Sequence, residues 1–109
     1  MVCATIHYPI TQEEELHNRT FGKMILGKND TVLYASRSMI PHTKSGKPSP
    51  NTTYYGHVGV FVFRRNYLHT YQEEPNTPAM LAEDIEWLKI IENGHTLIST
   101  AILYNHEIG

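Results

Sequence analysis

The sequence has little of several features that would place it in a specialised class of protein. Its 109 residues include one cysteine, Cys3, which excludes an internal disulfide and fits a reducing compartment. Charged residues make up 18% and the formal net charge is -2, so no surface for nucleic acid or an anionic membrane is expected. No hydrophobic run has the length of a membrane-spanning helix, and the N-terminus lacks the profile of a signal peptide. We therefore expect a soluble, cytoplasmic protein.

The composition that remains is that of an ordinary globular domain. Hydrophobic residues make up 40% of the chain, and 109 residues suffice for one modest domain but not for two. Because no internal repeat or linker marks a boundary, residues 1–109 are expected to form a single domain. The patterns run strand, hairpin, strand, helices, strand, which predicts an α/β fold with helices packed on a mixed sheet.

Two segments predict central strands of that sheet. In VCATIHYPI, residues 2–10, the alternate residues beginning with Val2 are apolar and fall on one face of the strand. In HVGVFVF, residues 57–63, both alternating sets are apolar, which predicts a strand covered on both sides. His57 and Gly59 do not fit this pattern. A glycine inside a strand often marks a place where another group approaches the backbone closely.

A hairpin and a long helix complete the predicted elements. Residues 27–30 have favourable turn chemistry between two apolar segments, so residues 21–40 are expected to form a projecting β-hairpin. The clearest helix follows Thr77, with Pro78 at its first position and Gly94 after its end. Its inward face is expected to consist of Leu81, Ile85, Leu88 and Ile91.

Searches for dedicated catalytic motifs fail, and three polar residues remain. SGKPS at 45–49 lacks the residues of a phosphate-binding P-loop, and the seven histidines show no zinc-ligand spacing. The plain interpretation of the remaining three is that Arg37 faces solvent, His57 is a hydrogen-bonded core residue and Glu86 lies on the wet face of its helix. The alternative is that they line an anion-binding cleft.

Two stretches carry a resemblance to a known family. VLYASRSMIP at 32–41 and YYGHVGVFVFRR at 54–65 resemble the 3-deoxy-manno-octulosonate (Kdo) cytidylyltransferases, and the likeness covers essentially the whole chain. It implies a partial nucleotidyltransferase-type, Rossmann-like fold and a cytoplasmic, Mg²⁺-dependent transfer of CMP from CTP to an eight-carbon acidic sugar. In the resemblance, Arg37 faces the sugar carboxylate, while His57 and Glu86 contact the rest of the sugar.

The departures from the family pattern bear on function. Phe61 stands where the family has a sugar-contacting tyrosine, and Trp87 replaces a glutamine, so both are candidate sugar contacts with altered chemistry. Residues 1–109 are expected to match the C-terminal, sugar-binding and dimer-forming half, beginning inside the parent fold and ending before its second metal aspartate. Because the CTP- and metal-binding parts have no counterpart here, this chain alone is expected to bind no metal or cofactor. No residue is assigned a catalytic role, and the chain is expected to be inactive by itself.

Three functions remain open at this point. The chain is a segment of a cytidylyltransferase, a non-catalytic sugar-binding or dimerising remnant of one, or an unrelated small α/β binding protein. The first two predict that Arg37, His57 and Glu86 line one pocket, with Glu86 contacting Arg37 when no ligand is present. A homodimer is also expected, because a two-stranded hairpin must pack on something to be stable. The apolar residues that the hairpin offers for this contact are Met24, Leu26, Val32 and Leu33.

Overall fold

The computed structural model describes residues 1–102 and confirms the predicted order of elements. These are β1 Cys3–Ile10, α1 Glu13–His17, β2 Lys23–Leu26, β3 Val32–Ser36, β4 Tyr54–Phe63, α2 Arg65–Glu73, α3 Pro78–Glu83, α4 Leu88–Glu92 and β5 Leu97–Ala101. The predicted last strand, residues 96–104, is confirmed as far as Ala101, and positions 103 and 104 lie outside the described residues. Among the residues described, no helix is long and apolar enough to cross a membrane.

The five strands form one mixed sheet in the order β3-β2-β4-β1-β5. β1 pairs in parallel with β5 and in antiparallel fashion with β4, which is the middle strand of the five. β2 reaches β4 only at its first residues, through the pairs Lys23↔Gly56 and Met24↔Tyr55. Further along, β4 bulges, so that Val58 pairs with Ile6 and Phe61 pairs with Thr5. Beyond His57, β4 is therefore paired on the β1 side alone within the described part of the chain.

β2 and β3 form the predicted hairpin, with a single 3₁₀ turn at Lys28–Asp30. The hairpin lies against the rest of the sheet, since Thr31 forms an isolated bridge with Ile98 of β5. Met24 and Val32 are buried in the core. Two of the four residues expected to mediate self-association are thus already covered by the chain itself.

The two faces of the sheet are covered unequally. The buried side chains of β1 are Cys3, Thr5 and His7, each at most 3% exposed, whereas the apolar set beginning with Val2 lies on the other face and is only partly buried. Thr5 and His7 can be buried because each has a hydrogen-bond partner on a neighbouring strand. The predicted two-sided cover of β4 is wrong, because Val60 is 49% exposed and Val62 is 68% exposed.

The covered face packs against the helices to form one main core. Aromatic rings of β4 and α2 pack along this face, and the ring centroids of Phe63 and Tyr71 are 5.0 Å apart. The buried members of this core are Cys3, Met24, Val32, Ala35, Tyr67, Ile85, Trp87, Leu88, Ile90 and Leu97. Six of these ten residues lie in β2, β3, α4 and β5, so the core fixes the hairpin relative to α4.

The segment from 77 to 94 is not the single helix that its pattern predicts. Asp84 adopts a left-handed conformation (φ 56°) between α3 and α4. At this break a distant side chain replaces helical bonds, because Arg37 donates hydrogen bonds to the carbonyls of Glu83 and Asp84. The break buries Ile85 but leaves Leu81 62% exposed, so the predicted inward position of Leu81 is wrong.

The ends of this segment agree better with the sequence. Pro78 occupies the first turn of α3 as predicted, although the preceding Thr77 makes no side-chain capping bond. Gly94, with φ 90°, follows α4 as predicted. The break has one functional consequence, which is that Glu86 and Trp87 lie in the turn between two short helices and not on a helical face.

Candidate functional site

A cavity of about 300 Å³ lies where the end of β3, the middle of β4 and the α3–α4 turn meet. Four of the five residues singled out from the sequence line it: Arg37, His57, Glu86 and Trp87. The fifth, Phe61, lies behind them, with its ring 5.1 Å from that of His57 and 5.8 Å from that of Trp87. The prediction that Arg37, His57 and Glu86 share one pocket is confirmed.

Arg37 is held in place by backbone carbonyls. Its Nε donates to Glu83 O at 2.9 Å, and its Nη2 donates to Asp84 O at 2.7 Å. Its Nη1 donates to Arg19 O at 3.1 Å. Because a guanidinium carries five N–H groups, one N–H on each terminal nitrogen has no acceptor among residues 1–102. The side chain is therefore oriented and still able to bind an anion.

Glu83 supplies the negative charge that accompanies Arg37. Its Oε1 accepts the backbone N–H of Arg37 at 3.1 Å, and its Oε2 accepts the Tyr34 hydroxyl at 3.0 Å. Burial favours the protonated form of this carboxyl, but these hydrogen bonds and one from Ser36 outweigh it and lower the pKa of Glu83. Glu83 thus remains ionised and fixes the backbone of Arg37.

His57 is a neutral ring in a defined tautomer. Its Nε2 lies 2.8 Å from Thr5 Oγ1, and that hydroxyl donates its own proton to Val60 O at 2.7 Å. The Thr5 oxygen must therefore accept from His57 Nε2–H, which leaves Nδ1 as the unprotonated nitrogen. Burial lowers the pKa of His57 to about 4, so the ring presents an acceptor and no charge at neutral pH.

The aromatic residues form one wall of the cavity. The ring of Trp87, only 9% exposed, lies 4.8 Å from that of His57. His57 is hydrogen-bonded, as the plain interpretation held, but it is half-buried at the cavity and does not belong to the buried core. The rings of Phe61 and Trp87 lie 5.8 Å from each other, so the three rings form one packed cluster that restricts the His57 ring.

Glu86 lies at the exposed rim of the cavity and does not contact Arg37. Its Oε1 is 3.6 Å from the ammonium of Lys89. The predicted contact between Glu86 and Arg37 is wrong, because Arg37 is already engaged by Glu83 and by three carbonyls. The reason is the break after α3, which brings Glu83 and Asp84 to the guanidinium and turns Glu86 toward α4.

Gly59 borders the cavity, and no residue that the structure describes packs closely enough against it to require a glycine. A Cβ added there would meet no heavy atom within 4 Å. Gly56, three residues earlier, is different, because a Cβ there would lie 2.5 Å from Cζ of Tyr8. The space beside Gly59 is therefore available to a ligand.

Sequence reasoning missed three residues that hold this arrangement together: Thr5, Glu83 and Lys23. Thr5 is hydrogen-bonded to His57, 52 positions away, and Glu83 to Arg37, 46 positions away. Residue spacing in the sequence gives no signal for contacts at such separations. Lys23 offered one signal, a charged residue opening the apolar strand KMIL. It is fully buried, with 0% exposure.

The residues of the site do not fit the metal that the resemblance implies. Within residues 1–102, no group of three or more His, Cys, Asp or Glu side chains is arranged to hold a metal ion. Asp84 and Glu86 line the cavity and Glu83 lies beside it, but Glu86 faces Lys89, Glu83 accepts the backbone N–H of Arg37, and the three do not form a metal-holding group. No step is therefore assigned here to Mg²⁺.

Comparisons with known proteins identify the family to which the chain is related. The cytidylyltransferase family matches residues 2–102. The 3-deoxy-manno-octulosonate cytidylyltransferase of Protochlamydia amoebophila is 36% identical over 106 residues, covering 97% of this chain and 40% of the relative. That of Chlamydia caviae is 40% identical over 87 residues, covering 80% of this chain and 33% of the relative.

A solved structure gives the same result at the level of the fold. The structure of CMP:2-keto-3-deoxy-manno-octonic acid synthetase complexed with CTP is 25% identical, with a TM-score of 0.85. The match covers 95% of this chain and 42% of that one, so the chain spans well under half the length of its relatives. Because the family match runs through nearly all of the described residues and the fold agrees, the chain belongs to the cytidylyltransferase family.

Proposed function

We propose that this chain is the sugar-binding part of a cytidylyltransferase that transfers CMP from CTP to Kdo or a related acidic sugar. Family membership and the names of the relatives support the reaction class. The observation that carries the proposal is the cavity itself, where Arg37, His57 and Glu86 surround the open space beside Gly59.

The groups around the cavity match an acidic sugar. The two unused N–H groups of Arg37, one on each terminal nitrogen, suit the two oxygens of a carboxylate. Nδ1 of His57 can accept a hydrogen bond from a sugar hydroxyl, and so can the carboxylate of Glu86. The space beside Gly59 receives the body of the ring. Each group then has a counterpart on a polyhydroxylated acid.

In the proposed reaction, this chain holds and orients the nucleophile. The anomeric hydroxyl attacks the α-phosphorus of CTP, a phosphorus–oxygen bond forms, pyrophosphate leaves and the hydroxyl proton is lost. The residues that bind the triphosphate and any metal ion are assigned to the remainder of the family fold, outside this chain. In this proposal residues 1–109 act as a single sugar-binding and dimerising domain, matching the C-terminal half of the relatives, in the cytoplasm.

Kdo binding by the chain is the first test. Gly59→Ala is the best variant, because it adds one methyl group to the cavity and meets no protein atom. Isothermal titration should show Kdo binding to the wild type, a loss of affinity of about tenfold or more in Gly59→Ala, and no binding of the Kdo carboxamide.

The matched control is Val60→Ala, which changes the neighbouring residue on the opposite, exposed face of the same strand. It should bind Kdo like the wild type. A wild-type chain that does not bind Kdo at millimolar concentration, or a Gly59→Ala variant with unchanged affinity, would contradict the proposal.

A non-catalytic remnant is the second candidate, and the aromatic residues favour it. Phe61 and Trp87 replace polar contacts implied by the resemblance, and Trp87 fills space beside His57. We expect the isolated chain to make no CMP-sugar from CTP and Kdo with Mg²⁺. Addition of a polypeptide carrying the rest of a relative separates the two candidates, since only a functional segment should restore synthesis of CMP-Kdo.

A homodimer remains part of the proposal, on a revised basis. Met24 and Val32 are buried within the chain, but Leu33 is 54% exposed and Val62 is 68% exposed. These are available to a second copy. Light scattering over a wide concentration range tests this, and a monodisperse monomer throughout would count against it.

A further inference from the structure

We infer that Lys23 is a positioning residue of the cavity, because its buried ammonium ties the 18–22 loop to the end of β3 and thereby presents Arg37. The inference concerns the arrangement of the protein in the absence of ligand. It rests on the proposed function only where the sugar is concerned.

Lys23 is fully buried, at 0% exposure, and every proton of its ammonium is used. Nζ donates to Arg37 O at 2.8 Å, to Phe21 O at 3.2 Å and to Asn18 O. The ring of Phe21 covers the ammonium at 4.4 Å. Among the described residues no carboxylate forms an ion pair with Lys23. Its charge is therefore balanced by carbonyl dipoles, in a place that only a three-proton donor can satisfy.

An apolar residue would be the simpler choice at this position. Burying a cation away from water is unfavourable. The pKa of Lys23 is lowered, mainly by its burial and to a smaller extent by the nearby charge of Arg37. A residue such as the neighbouring Met24 would avoid that penalty, but it would leave three carbonyls without a donor. A lysine at position 23 is therefore explained if the three carbonyls must be held together.

Those carbonyls belong to two walls of the cavity. Lys23 holds the carbonyl of Arg37, while Glu83 holds its N–H, so the backbone of Arg37 is fixed on both sides. In the loop, the carbonyl of Arg19 accepts from the Arg37 guanidinium. The loop also reaches β4, since Gly22 O accepts the backbone N–H of His57 at 3.0 Å.

The buried ammonium of Lys23 therefore links Arg37 and His57, the two residues that face the proposed ligand. Without it, the 18–22 loop loses two of its carbonyl contacts, and the anchor for the Arg37 guanidinium loosens with the loop. Arg37 and His57 should then both become mobile. A purely structural lysine would lower overall stability without a selective effect at these two residues.

Lys23→Met tests this directly, because it keeps the aliphatic stem and removes the ammonium. Lys89→Met is the matched control: Lys89 is also buried, but its ammonium faces Glu86 and the ring of Tyr71 and no backbone carbonyl. The readout is hydrogen exchange by NMR at two protons, Arg37 Nε–H and the His57 backbone N–H, with no ligand present.

In Lys23→Met, both protons should exchange about tenfold faster or more, relative to backbone amides of β1 in the same sample. Lys89→Met should leave the exchange rates of the two protons, relative to the β1 amides, unchanged. A folded Lys23→Met variant in which both protons keep their wild-type protection would overturn the inference. If Lys23→Met does not fold, Lys23→Gln decides, because its amide keeps two donors; faster exchange supports the inference and unchanged exchange overturns it.

The sugar provides a separate arm of the experiment. If the wild type binds Kdo, Lys23→Met should lose about tenfold or more in affinity, and equal affinity would overturn the inference. If the wild type binds no Kdo, the proposed function fails, while the exchange measurement still decides the role of Lys23.

Discussion

Strand β4 contains two glycines three positions apart, and their surroundings differ. Gly56 lies where β4 is paired on both sides, opposite Tyr8 of β1 and Lys23 of β2, and the ring of Tyr8 occupies the place of a side chain. Gly59 lies in the bulge, where β2 no longer reaches, and faces open space. The first glycine is explained by packing. The second is not, which is the pattern expected where a ligand and not the protein occupies the space.

The point at which β2 ceases to pair with β4 divides the whole of strand β4. Up to His57, β4 is enclosed by neighbours, and Tyr54 is buried at 4% exposure. Beyond it, Val60 and Val62 point to a face of the sheet that no described residue covers. A single strand thus passes from a part that stabilises the fold to a part that is available for binding, and His57 lies at the transition.

The largest effect that separates the two parts should come from Gly56→Ala. The new methyl group would lie within 2.8 Å of three atoms of Tyr8, so the free energy of unfolding should fall by about 1–3 kcal/mol. Gly59→Ala, by contrast, should be neutral or slightly stabilising, because an alanine restricts the unfolded chain. Urea denaturation of the two variants measures this difference. Equal destabilisation by both substitutions would remove the distinction between the two glycines.

A smaller effect on stability is expected from pH, through His57, which lies between the enclosed and the open part of β4. Burial lowers the pKa of His57 from 6.5 to about 4, so between these values the unfolded chain binds more protons than the folded one. Stability should therefore be fully present above pH 6.5 and decrease as the pH falls toward 4, by about 1–2 kcal/mol after allowance for partial solvent exposure.

The measurement is the free energy of unfolding between pH 4 and pH 7 for the wild type and for His57→Asn. The variant comparison is needed because burial also lowers the pKa of His7 and contributes a slope of the same sign. His57→Asn should show a shallower dependence on pH. Identical slopes would mean that His57 titrates normally and is not held neutral by its surroundings.

The smallest effect on stability should come from Val62→Thr, in the part of β4 that is open. Because this side chain is 68% exposed, the substitution should change the free energy of unfolding by no more than about 0.5 kcal/mol. Self-association measured by light scattering should nevertheless decrease, since the apolar face becomes more polar. A clear loss of stability would show that this face is covered in solution.

Much of the local structure could be predicted from the sequence. The strands and the hairpin turn follow from short-range patterns, and the positions of Pro78 and Gly94 follow from helix-end preferences. The shared cavity of Arg37, His57 and Glu86 was predicted because a family resemblance supplies long-range information that spacing alone does not contain.

The failures have a common physical cause, which is an interaction between residues far apart in the chain. Alternation in β1 predicts two sets of side chains but not which set faces the helices. Thr5 and His7 are buried because they bond to residues 55 and 92 positions away. Where the helix pattern is interrupted at residue 84, the guanidinium of Arg37 binds the carbonyls of Glu83 and Asp84 from 46 and 47 positions away.

The sequence by itself thus determined the type and order of the elements, because propensities, turns and caps act over a few residues. Tertiary structure decided which face of the sheet is covered, where the last helical segment breaks and how Lys23, Thr5 and Glu83 hold the cavity. Buried polar groups require partners, and a folded sheet brings those partners from any distance along the chain. Their arrangement is therefore a property of the assembled domain and of no single segment.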